Sequence, residues 1–163
     1  VFPENRFLAD PALGKLAKWL RILGMDARYI RSGSIDRALA DCEPGRILLI
    51  RSRRIAKQER DRKIIFIRSN APIRQLEEVI DAARIRRGDV RPFSRCIRCN
   101  VLISQVAKAS VKYRVPDWVW EQHHHFHKCN RCGRIYWAGT HIDRSLLQID
   151  ALFGTNGGLQ FPG

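Results

Sequence analysis

The sequence predicts an open parallel α/β sheet with helices on both faces, followed by a small four-cysteine zinc ribbon. Three observations carry this. Short apolar runs alternate with helix-period segments as far as Arg84. Two Cys-x-x-Cys pairs stand in the second half only. Between the two parts, 84–92 is charged, contains Gly and Pro, and has no apolar period. We therefore place an α/β domain at 5–90, a zinc ribbon at 91–145 and an extended tail at 146–163.

Arg6–Ala9 reads as the first strand and ends on Asp10. Pro11 then opens a helix, where its missing N–H costs nothing. Leu13, Leu16, Leu20 and Leu23 recur at helical spacing before a stop at Gly24. Lys15, Lys18 and Arg21 lie on the same helix, and Lys18 and Arg21 are expected to face away from the leucines. Ala27–Ile30 reads as a strand and Ile35–Cys42 as a short helix. Arg46–Ile50 lacks alternation, which predicts a strand buried on both faces, as in a parallel sheet. Arg51–Lys63 is a basic segment, followed by a strand at Lys63–Ile67. A helix is expected from Asn70 to Arg84, with Pro72 near its start and Ile73, Leu76, Val79, Ile80 and Ala83 on one face. The order of elements requires crossover connections and hence a parallel sheet.

The chain of 163 residues carries 30 Lys+Arg against 16 Asp+Glu, a formal charge of +14. A charge of about 2–8 is enough for solubility, so the excess points to a polyanionic partner, RNA before an acidic membrane. A hydrophobic content of 45 % excludes global disorder. No apolar run approaches the roughly 20 residues of a membrane span. Cys42 is left over from the two pairs, and an odd cysteine suits a reducing intracellular compartment: mitochondrion or plastid, otherwise cytoplasm. The start at Val1, with no signal-like stretch, reads as that of a processed or truncated form.

Cys96, Cys99, Cys129 and Cys132 are the expected ligands of a structural Zn²⁺, with 29 residues between the inner two. Such a gap suits a ribbon, and Gly133 supplies the small residue a knuckle turn wants. His123, His125 and His127 would share one face of an extended segment; this reads as a solvated strand, an RNA contact or a second metal site. Tyr136–His141 reads as packing over the ribbon, with base stacking as the alternative.

Phe7-Leu-Ala-Asp10, Leu13-Gly-Lys-Leu16-Ala-Lys-Trp19-Leu-Arg-Ile-Leu-Gly24-Met-Asp26, Gly45-Arg-Ile-Leu-Leu49 and Gln75-Leu76 resemble the Mut7-C RNase domain, a PIN-like nuclease fold. Phe93-Ser-Arg-Cys96-x-x-Cys99-Asn100 and Cys129-x-x-Cys132-Gly133-Arg-Ile-Tyr136-Trp137-x-Gly139-Thr-His141 resemble that family's C-terminal zinc ribbon. The resemblance spans roughly 6–145. It implies acidic residues at strand ends that hold Mg²⁺ or Mn²⁺ for RNA cleavage by metal-activated water. Asp10 matches the first acid and Asp36 the second. The third belongs to a Thr-Arg-Asp triplet after the buried strand, and this chain has Ile50-Arg51-Ser52.

A hard divalent cation asks for carboxylates. Ser52 offers a neutral hydroxyl, and Arg51, Arg53 and Arg54 around it repel a cation. Asp10 and Asp36 are then vestigial catalytic residues, with helix capping as their other reading. The expectation is an RNA-binding protein with a degenerate nuclease site, a non-catalytic component of a ribonucleoprotein such as a ribosome, where rRNA and protein neighbours would be its partners. The alternative is an active metal-dependent ribonuclease, and only that reading requires Mg²⁺ or Mn²⁺. Lys15, Lys18, Arg21, Arg51, Arg53, Arg54 and Lys57 are the expected RNA contacts.

Overall fold

The computed structural model describes residues 5–30, 35–59, 61–154 and 158–162. It divides into two units, Val1–Arg21 with Met25–Val90, and Ile22–Gly24 with Arg91–Gly163.

In the first unit, β1 (Arg6–Ala9), β2 (Asp26–Tyr29), β3 (Ile47–Ile50) and β4 (Ile64–Phe66) form one parallel sheet in the order β2-β1-β3-β4. Helices α1 (Gly14–Ile22), α2 (Ile35–Ala40), α3 (Arg53–Gln58) and α4 (Pro72–Ala82) alternate with the strands along the chain and flank the sheet. The predicted α/β class holds. All four residues of β3 are buried, as its unbroken apolar run requires of a central parallel strand. Leu8, Leu48 and Ile50 pack on one face with Leu39 of α2 and Ile55 of α3. Phe7, Ala9 and Leu49 alternate onto the other face and are fully buried.

The amino ends of three strands are fastened by one side chain. Arg46, 4 % exposed, makes a two-pronged pair with Asp26 at 2.8 and 2.9 Å. It also donates to the Phe7 carbonyl at 3.2 Å and reaches Glu43 at 2.9 Å.

Two expectations are corrected, and the basic segment gains an element. Arg21 does not face solvent: it is buried, and its Nε donates to the Ala27 carbonyl at 2.8 Å. A guanidinium at the turn into β2 finds a carbonyl to satisfy it, and hydrogen-bonded burial is then tolerated. The basic segment holds a helix, since Ser52 caps α3 and Ile55 anchors it in the core; Arg60 lies outside the described residues. The tail is not extended from residue 146, since α6 runs Thr140–Leu152. Its Leu146 and Ile149 are buried one helical turn apart. Residues 155–157 and 163 of that stretch lie outside the described residues.

In the second unit, β5 (Ser104–Val106), β6 (Phe126–Lys128) and β7 (Ile135–Tyr136) form an antiparallel sheet in chain order. The excursion between the cysteine pairs folds as a 3₁₀ turn at Lys108–Val111 and a helix, α5 (Asp117–Gln122). It has a core of its own, in which Val111, Val115 and Val119 pack with Phe126. Among the described residues no helix is long and apolar enough to cross a membrane.

Candidate metal centre and sheet-edge site

The two cysteine pairs are built alike. In each, the amide after the second cysteine donates to the carbonyl of the first: Asn100 to Cys96 and Gly133 to Cys129, both at 2.8 Å. Each turn needs a left-handed residue at that position, φ 64° at Asn100 and 72° at Gly133, which asparagine and glycine tolerate best. The first cysteine of each pair then closes a ladder, Cys96 to Val101 at 2.8 Å and Cys129 to Arg134 at 2.9 Å.

These turns bring all four Sγ atoms within 4.8 Å of one another. Four thiolates about 2.3 Å from one tetrahedral Zn²⁺ lie about 3.8 Å apart, and Cys96 and Cys132 stand 3.7 Å apart. The cluster could therefore hold a zinc ion, and its four protein ligands would leave no position open for chemistry. Burial opposes the Cys96 thiolate, but the Tyr136 hydroxyl, at 3.1 Å, and the amides of Cys99 and Arg98 outweigh it and bring the thiol down to about 7. Burial and neighbouring sulfurs push Cys99 up to about 12. All four sulfurs would become thiolates together only with a cation between them, as zinc binding supplies.

The strand order reverses between β1 and β3, so the carboxyl ends of those strands flank the crevice where open α/β sheets bind ligands. Asp10 and Arg51 follow the two strands directly. Asp10 is 5 % exposed. One of its carboxylate oxygens accepts from the Ala12 amide at 2.8 Å and the other from the Arg51 amide at 2.7 Å. Ser52 is the N-cap of α3, its Oγ 3.5 Å from the Ile55 amide. The Arg51 guanidinium donates to Asn70 Oδ1 at 2.6 Å. Asp36 is exposed in the first turn of α2. Among the described residues, the four cysteines are the only group of three or more His, Cys, Asp or Glu that could hold a metal ion. A carboxylate, a hydroxyl and a guanidinium do not fit Mg²⁺ or Mn²⁺, which take oxygen ligands carrying counter-charge.

Lys15, Lys18, Arg53, Arg54 and Lys57 are exposed and Arg51 is half-buried, while Arg21 is withdrawn into the fold. The three alternate histidines do not share one environment. His125 is exposed, His123 half-buried and His127 buried, its ring edge-on to Phe161 at 5.1 Å. Asn100 stands in the ribbon motif, but its left-handed turn went unread although its place after the second cysteine matches that of Gly133. Sequence reasoning also missed Trp118, 58 % exposed on α5, because nothing local in Asp117-Trp-Val-Trp-Glu121 tells this tryptophan from Trp120.

The family model of the Mut7-C RNAse domain matches residues 5–149. No curated protein and no solved structure matches the chain.

Proposed function

Because the chain belongs to the Mut7-C RNAse domain family, we propose that it binds RNA through this fold and does not cleave it. The observation that carries this is the edge between β1 and β3. There, Ser52 caps a helix where a metal-binding carboxylate is expected, and the remaining carboxylate, Asp10, bridges two backbone amides. Neither the charge nor the ligand count of that edge suits a divalent cation. The same edge suits a phosphate, because α3 presents Arg53, Arg54 and Lys57 beside Arg51. The zinc ion of the ribbon is structural in this reading. A ribonucleoprotein such as a ribosome is the setting we propose, with the net charge of +14 neutralising rRNA phosphates.

One experiment tests both halves. The purified chain is incubated with labelled single-stranded RNA and Mn²⁺, and binding and cleavage are followed in the same samples. The expected result is binding that weakens steeply with salt, by a slope of roughly −0.7 in log K per phosphate neutralised, and no cleavage. Removing charge together at Arg51, Arg53, Arg54 and Lys57 should flatten that slope. Cleavage by the unmodified chain that is lost in Asp10→Asn would promote the nuclease reading, and absence of binding would remove both.

A further inference from the structure

The second unit contains a cavity of about 580 Å³ whose lining includes Trp118, Arg134, Trp137, Gly139 and His141. Its walls come from α5, the strand β7 with the residue on either side of it, and the first turn of α6 with the glycine before it. Two large aromatic rings, an imidazole and a guanidinium around one opening make an unusual surface, since an exposed tryptophan keeps apolar area in water.

The two tryptophans of α5 show that this exposure is not forced by the helix. Trp120 is used within the fold. Its indole N–H donates to the Lys108 carbonyl at 3.1 Å, and the ammonium groups of Lys108 and Lys112 lie 4.7 and 5.1 Å from its ring centre. Val119 between them is fully buried. Trp118 is left 58 % exposed against the cavity. On the far side, a Cβ at Gly139 would meet the Trp137 indole nitrogen at 3.2 Å, so the bare glycine lets that ring lie close over the backbone. The surroundings are cationic: residues 91–163 hold ten Lys and Arg against four Asp and Glu. Arg114, whose guanidinium donates to the Gly133 carbonyl at 2.9 Å, adds charge beside Arg134.

We infer that this cavity receives an unpaired nucleobase of single-stranded RNA, stacked against Trp118, while Arg134 faces the strand's phosphate. This rests on the RNA-binding reading above and adds its substrate class: an unpaired strand, since bases in a helix cannot enter. Aromatic stacking accepts any base, so the site selects strandedness and not sequence. An uncharged or basic peptide would gain nothing from the guanidinium and the surrounding positive charge, and an acidic one would bring charge but no planar bases to stack on Trp118.

The test uses the full zinc-loaded chain, a 12-residue oligouridylate, a blunt RNA duplex of the same length, and a 12-residue abasic ribose-phosphate strand, with binding read by anisotropy at fixed salt. Trp118→Ala should weaken oligouridylate binding on the order of 5- to 100-fold. It should leave duplex binding and the salt slope unchanged, and Trp118→Phe should recover most of the loss. The abasic strand should bind the unmodified chain as weakly as oligouridylate binds Trp118→Ala, which tests the inference even if that variant misfolds. Oligouridylate binding that is indifferent to Trp118→Ala, or to removal of the bases, overturns the inference and leaves the cavity to another occupant such as a peptide. Failure of the unmodified chain to bind any of the three RNAs overturns the RNA-binding reading itself.

Discussion

The cysteine cluster and the carboxyl edge of the sheet are both places where the fold delivers side chains to one point, and the two are built differently. At the cluster, every turn residue serves the sulfurs. Asn100 and Gly133 take left-handed conformations that only pay off when two thiolates meet a cation. At the sheet edge, each side chain has a second employment in the backbone. Asp10 satisfies two amides and Ser52 caps α3. Serine and aspartate cap helices about equally well, so exchanging one for the other removes a charge and leaves the fold as it was. A site whose residues also hold the chain can lose its chemistry without unfolding; a site that is itself the fold cannot.

That contrast is open to direct attack. The largest effect is expected at the cluster, because structural zinc contributes apparent binding free energies of about 10–16 kcal/mol in small modules. Chelation, or Cys96→Ser, should release one Zn²⁺ per chain and unfold the second unit, as read by metal analysis and circular dichroism. Retention of structure without metal would erase the distinction. At the sheet edge, Asp10→Ala leaves the Ala12 and Arg51 amides without an acceptor and should cost about 1–3 kcal/mol in denaturant unfolding, while RNA binding at equal occupancy of the folded state stays unchanged. The smallest effect is at Ser52. Ser52→Ala should lose about 1 kcal/mol of capping, and Ser52→Asp should keep the unfolding midpoint within about 0.5 kcal/mol of the unmodified chain. If the rest of the crevice is intact, Ser52→Asp should also gain Mn²⁺-dependent cleavage of single-stranded RNA, and Asp10→Asn should remove it.

What could be read in advance followed the strength of the local signal. The strands β1, β3 and β4 and the helix α4 carry apolar runs or stripes that admit one reading, and the structure places them within two residues of it. The helix α3 was hidden because of its six residues only Ile55 is buried, with Ala56 packed partly against the same core. Arg21 was misplaced because periodicity assigns a charged residue to the solvent side and cannot see the Ala27 carbonyl waiting within the fold. The glycine-rich stretch at the end of the chain begins only after α6 has turned its last buried isoleucine inward, so it tells nothing of residues 146–152. The four cysteines were legible because ligand spacing is a local property. The pairing of Asp10 with the Arg51 amide spans 41 residues, and nothing local announces it.

The Arg46 anchor bears on how the sheet avoids misalignment. Alternating strands resist slipping by one residue because the slip would turn every apolar side chain outward. β3 has no such protection: Ile-Leu-Leu-Ile looks the same after a slip in either direction, and both its faces are buried. The guanidinium just ahead of it breaks the degeneracy. Moved by one residue, it would lose the Asp26 carboxylate and the Phe7 carbonyl together, stranding a charge in the interior. Alignment of the central strand is thus written in one polar side chain at the opposite end of the sheet from the candidate site, where a substitution at position 52 cannot disturb it.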